Sequence, residues 1–174
     1  MEKKITTFSI ALGGILAALS VALMFLTALF PIAEFVFPGM AGILLIAAVF
    51  EMGEKRAFLI FAAVGILSLL LPIEKSSAVY YILFLGHYPI VKSYIERIQN
   101  NVIKWAVKVV FFNICCALTL LISVFLLNFD VNALKYGLLL TIILFNVTFI
   151  IYDIAVSKII VLYSLKIRKL IKRH

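Results

Sequence analysis

The sequence predicts an all-α integral membrane protein with six transmembrane helices and cytoplasmic N- and C-termini, on three observations. First, hydrophobic residues make up 66% of the 174-residue chain and charged residues 14%, against about 45–50% and about 25% in soluble domains. Second, the mean hydropathy is +1.22, more apolar surface than a fold of this size can hide from water, so the excess faces lipid. Third, charges cut the chain into six uncharged intervals near bilayer length, and the basic residues fall almost entirely on one side of the resulting topology. This composition excludes a soluble enzyme, a secreted disulfide scaffold and a disordered tail.

The intervals, in order, are 29 residues between Lys4 and Glu34, 16 between Glu34 and Glu51, and 17 between Arg56 and Glu74. There follow 16 between Lys75 and Lys92, 21 between Lys108 and Asp130, and 17 between Lys135 and Asp153. A crossing needs about 20 mostly apolar residues, within about 17–25, and long charged side chains snorkel beyond helix ends. The spans are therefore expected near 6–30, 39–53, 56–72, 77–97, 104–128 and 136–165, in a single transmembrane domain covering 1–174. The first follows Lys3 and Lys4 and is too long for a signal-peptide core of about 7–15 residues. The second is the shortest and leaves a partly re-entrant path open.

Six spans put both termini on one side. With that side cytoplasmic, fourteen of the sixteen Lys and Arg residues lie on inner loops and ends, leaving only Lys75 and Lys135 outside. This positive-inside bias orients the chain as a multi-pass protein of the cell (inner) membrane. The tail 166–174 is strongly basic, either as topogenic charge or as a segment lying on anionic lipid at the cytoplasmic face. The net charge of +8 is spread among the gaps between spans, not gathered on one water-facing surface, which argues against nucleic acid.

Few residues carry candidate chemistry. Gly14, Ala18 and Ala22 recur every four residues in the first span, so their small side chains share a face on which another helix can approach closely. That helix belongs either to this protein or to a partner subunit. Asp153 is the clearest intramembrane charge; at matching depth Lys108 is its expected ion-pair partner, and Lys158 lies on a less suitable face. The pair serves as a structural clamp or in proton or ion coupling. Asn113 and Asn146, near mid-membrane, are expected to bond across spans five and six, or to line a solute cavity with His87. In span four, Tyr80 and Tyr81 precede Gly86-His87-Tyr88-Pro89; the glycine and proline predict a kink, where aromatic and polar side chains would suit a solute. A structural role for His87 is the alternative. The adjacent Cys115 and Cys116 point about 100° apart and are read as apolar filler. No catalytic constellation, metal spacing or phosphate loop is present in the sequence, so the chain is expected not to be an enzyme and to need no cofactor.

In size, span count and orientation, with the Gly14, Ala18, Ala22 stripe and a first outer loop bearing Pro31 and Pro38, the chain resembles the substrate-binding S components of energy-coupling factor (ECF) vitamin transporters. The resemblance implies a solute-binding subunit taking up a small vitamin-like molecule, with energy from a coupling membrane subunit and its ATPases. It implies that the stripe docks the coupling subunit, that the first outer loop acts as a lid, and that Tyr80, Tyr81, His87 and Asn146 are solute-binding candidates by position. The chain is also similar in size and span count to the cell-shape scaffold protein MreD, which implies a non-catalytic role in envelope assembly.

Overall fold

The computed structural model describes residues 7–30, 33–127 and 137–167. Lys3 and Lys4, Pro31, the connection 128–136 with Lys135, and the basic tail from 168 onward lie outside the described residues. Every regular element among the described residues is helical. Three helices are long and apolar enough to cross a membrane, Thr7–Leu29, Asn101–Phe125 and Leu139–Leu165, and Val36–Met52 is apolar but shorter. The chain divides into two compact units, Met1–Gln99 and Asn100–His174.

The first unit is built on α1 (Thr7–Leu29), α2 (Val36–Met52) and α3 (Glu54–Leu70), each in contact with the other two. α1 buries Ser9, Leu16, Ser20, Met24 and Thr27, positions spaced to fall on one helical face. α2 and α3 are joined by Gly53 alone, at φ 91° and ψ 165°, a conformation essentially restricted to glycine. Its Cβ-free backbone is what folds the two helices into a hairpin. Leu16, Met24, Ala41, Leu45, Ala48, Phe61 and Val64 form the centre of the apolar core.

The segment expected as one span near 77–97 is interrupted. It consists of α4 (Lys75–Tyr80), a π-helical turn (Tyr81–Leu85) and α5 (Tyr88–Ile95). Pro89 does not kink a continuous helix. It lies in the first turn of α5, where its missing N–H and fixed φ cost nothing. The break is seated on α2 through Gly42: a Cβ there would lie 2.0 Å from the Leu85 carbonyl oxygen. At the far end of this segment Glu54 accepts from Arg97, and Ser93 Oγ approaches the same carboxylate oxygen at 3.4 Å. Lys92 is buried, 3.5 Å from Glu96.

The second unit pairs α6 (Asn101–Leu127) with α7 (Gly137–Leu162), the latter running into a π-helical turn at Tyr163–Ile167. The pairing is antiparallel, since partners descend on α7 as they ascend on α6: Lys108 with Asp153, Phe112 with Phe149, Asn113 with Asn146. Lys108, Phe112 and Cys115 are buried on one helix, Phe149, Asp153 and Val156 on the other. Spacings of four and three make this a narrow coiled-coil-like seam. Outside it the surface is apolar, with Val102, Ile114, Phe125, Leu139 and Ile151 all more than half exposed, as a lipid-facing surface requires.

Candidate functional site

The interruption in the first unit arranges most of the polar and aromatic groups expected in span four. A π turn carries one extra residue per turn, so carbonyls shift their partners and side chains are re-aimed. The Gly86 N–H bonds the Tyr81 carbonyl at 2.8 Å. His87 Nδ1 lies 3.1 Å from the Ile82 carbonyl; because a carbonyl only accepts, Nδ1 carries the proton in the neutral ring and Nε2 is the acceptor. The His87 ring meets Phe61 edge-on at 5.4 Å, and Phe61 also lies 5.6 Å from the Tyr81 ring.

Gly86 shapes the Tyr81 site directly. A Cβ on Gly86 would come within 2.8 Å of Tyr81 Cε2 and Cζ, so the ring occupies space that only glycine leaves. Tyr81 is fully buried, as is Ser77 one helical turn earlier. Neither hydroxyl has a hydrogen-bond partner among the described residues. Ser77 escaped the sequence reading; its spacing of four from Tyr81 was the available signal.

Tyr80 is placed differently, stacked on Phe35 with ring centroids 4.3 Å apart. Its neighbourhood is acidic: burial, and then the Glu74 carboxylate, hold Glu34 above the ordinary carboxylate range. Lys75, beside Glu74, donates at 2.9 Å to the Leu69 carbonyl near the end of α3.

Asn146 belongs to the second unit, where it and Asn113 exchange hydrogen bonds of 3.0 and 3.2 Å. Each amide also donates to its own helix, Asn113 to Val109 and Asn146 to Ile142. Lys108 Nζ lies 3.0 Å from Asp153 Oδ2, both side chains almost wholly buried, with the ammonium 5.1 Å from the centre of the Trp105 ring. Lys158 is exposed. Cys115 is buried, and both cysteines are free thiols.

Gly14, Ala18 and Ala22 are all exposed, on the face of α1 away from Leu16, Ser20 and Met24. Ala18 and Ala22 form the floor of an open apolar groove of about 630 Å³, walled by Phe25 and by Leu67 of α3. A Cβ on Gly14 would meet nothing within 4 Å.

No family model, curated protein or solved structure matches the chain.

Proposed function

We propose that this is a membrane-embedded solute-binding subunit of the ECF S-component type, with six spans and both termini cytoplasmic. It takes up a small vitamin-like molecule with energy from a partner ATPase module. In this topology α1, α6 and α7 are full-length crossings. α2 and α3, 17 residues each, sit at the short end of the spanning range of about 17–25, and α4 with α5 makes a broken fourth crossing. Broken helices at membrane depth occur where their backbone is buried in protein or faces a cavity. The basic inner loops face anionic lipid.

The observation that carries the reading is the small-residue stripe. α1 buries its opposite face, leaving Gly14, Ala18 and Ala22 exposed, with a shallow groove beside them that a partner helix can enter. In a bilayer such close contact is a main source of helix association. Solute arrives from outside, the segment between α1 and α2 closes over it, and the coupling subunit reorients the whole through α1. Tyr80, Tyr81 and His87 are the solute-binding candidates of the first unit and Asn146 a separate candidate in the second, and the solute is bound without being transformed.

The test is gentle purification of the tagged chain and of Ala18→Leu, with mass spectrometry of subunits and bound small molecules. A coupling membrane protein and two ATPases should accompany the parent chain and be lost from Ala18→Leu, while bound solute is retained in both. Envelope-assembly proteins without solute would overturn the reading in favour of the scaffold.

A further inference from the structure

Among the described residues of the first unit, the Ser77 and Tyr81 hydroxyls are not accounted for by the unit's own packing. Both side chains are fully buried and neither hydroxyl is bonded within the described residues. Other fully buried hydroxyls of the unit have partners: Thr27 donates to Met24 at 2.7 Å and Ser68 to Val64 at 2.8 Å within their own helices, and Ser20 reaches the Ala41 carbonyl of α2 at 3.4 Å. A buried hydroxyl left unbonded forfeits its hydration without a replacement, and nearly all such groups in native proteins are paired. Two orphans one turn apart on one helical face have a simpler joint explanation than two separate defects.

Their setting is polar by layer. Thr27 lies two residues before the end of α1, Ser68 two before the end of α3, and Ser77 two after the start of α4. Short connections alternate the helix directions, so these three hydroxyls sit at the same end of the bundle, with Tyr81 one turn deeper. Tyr81 is also held in place, by Phe61 beside it and by the space Gly86 leaves. The charges at this end are exposed: Glu74 and Lys75 lie on the surface, Lys75 bonded to the Leu69 carbonyl, while the fully buried charged side chain among the described residues of this unit is Lys92 on α5, three turns beyond Tyr81. A charged ligand would therefore go uncompensated in an apolar core, at high cost.

We infer that Ser77 and Tyr81 form a buried binding site for a neutral oxygen, supplied either by an ordered water or by a hydroxyl or carbonyl of an uncharged solute. Each hydroxyl donates one hydrogen bond or accepts from the ligand, and the shared ligand couples them. The solute form rests on the solute-binding reading above; the water form does not.

The experiment compares thermal unfolding of the purified full chain with Tyr81→Phe, Ser77→Ala and the double variant, before and after exhaustive dialysis. Each single substitution removes only a hydroxyl, so the fold is retained. The site predicts that each lowers Tm by roughly 2–8 °C, and that the double variant loses less than the sum. If the losses persist through dialysis the ligand is water. If dialysis lowers the parent to the level of the variants, it is a dialysable solute. Variants as stable as the parent before dialysis, or more stable, with additive effects, would overturn the site, because deleting a truly unbonded hydroxyl relieves a penalty. That result would leave the docking test on Ala18 untouched, since α1's exposed face takes no part in it.

Discussion

The two units solve the problem of helix association by opposite means. In the first, helices meet over a broad apolar core, and the closest approaches are made by glycine: Gly42 under the Leu85 carbonyl, Gly65 with a would-be Cβ 3.3 Å from Ile82, Gly86 under the Tyr81 ring. In the second, two long helices meet along a thin seam whose rungs are an ion pair, a stacked pair of phenylalanines 4.5 Å apart and a reciprocal asparagine pair. Where shape does the work, every missing Cβ matters. Where polar rungs do it, specificity comes from pairing, since lipid and leucine are equally good solvents for the outer faces.

The largest effect that separates the two designs is expected at the ion pair. Lys108→Met should cost about 3–5 kcal/mol, because it strands the Asp153 carboxylate in a buried seam. Lys108→Met combined with Asp153→Leu should recover most of that loss, as apolar replacements of both partners usually do. Denaturation of the purified chain in detergent measures both. A double variant no better than the single would mean that the rung stabilises the seam by its pairing and packing, beyond mere neutrality.

That rung also marks how far the sequence could be read. Lys108 and Asp153 are opposite charges at matching depth on consecutive spans, and amides at matching depth are equally conspicuous in an apolar background, so both pairings could be named from spacing. The π turn could not. Gly86 and Pro89 signal an irregularity, but its form is set by tertiary contacts, the seat on Gly42 and the ring of Tyr81 over Gly86. The direction of the Gly14, Ala18, Ala22 face was also hidden. Both sides of α1 are apolar, since Ile10, Ile15 and Leu19 are exposed while Leu16 and Met24 are buried, and hydropathy does not distinguish lipid from core.

The next effect in size tests the close-packed unit against its own surface. Gly42→Ala puts a methyl group 2.0 Å from a backbone oxygen, an overlap that no rotamer change relieves. Overpacking of this kind costs about 1–3 kcal/mol and sometimes more, and the upper end is expected here because the obstacle is main chain. Gly14→Ala is the matched control. Its new methyl meets nothing, and the gain in helix propensity of about 1 kcal/mol should leave the first unit as stable as before or slightly more so. Thermal unfolding of the two variants side by side checks the contrast; equal losses would mean that close approach at Gly42 is not what holds α2 against the break.

The smallest expected effect lies at the edge of the first unit, where neither design applies and the chain leaves α1 for α2. Phe35 stacks on Tyr80 while remaining 46% exposed, and the adjoining Glu34 is held above the ordinary carboxylate range by burial first and Glu74 second. A carboxyl group with a raised value in the folded state binds protons more readily folded than unfolded. Its contribution to stability is therefore fully present below the ordinary carboxylate range and is lost as pH rises through the raised value. Glu34 is only partly buried, so the change should be modest and screened by salt. Unfolding midpoints across the mildly acidic range should fall slightly with rising pH in the parent chain, and that slope should flatten in Glu34→Gln. Glu74→Gln should flatten it only in part, because it removes the neighbouring charge and leaves the burial. An identical response to both substitutions would invert the order of causes and make the Glu34–Glu74 repulsion the dominant influence on the Glu34 carboxyl.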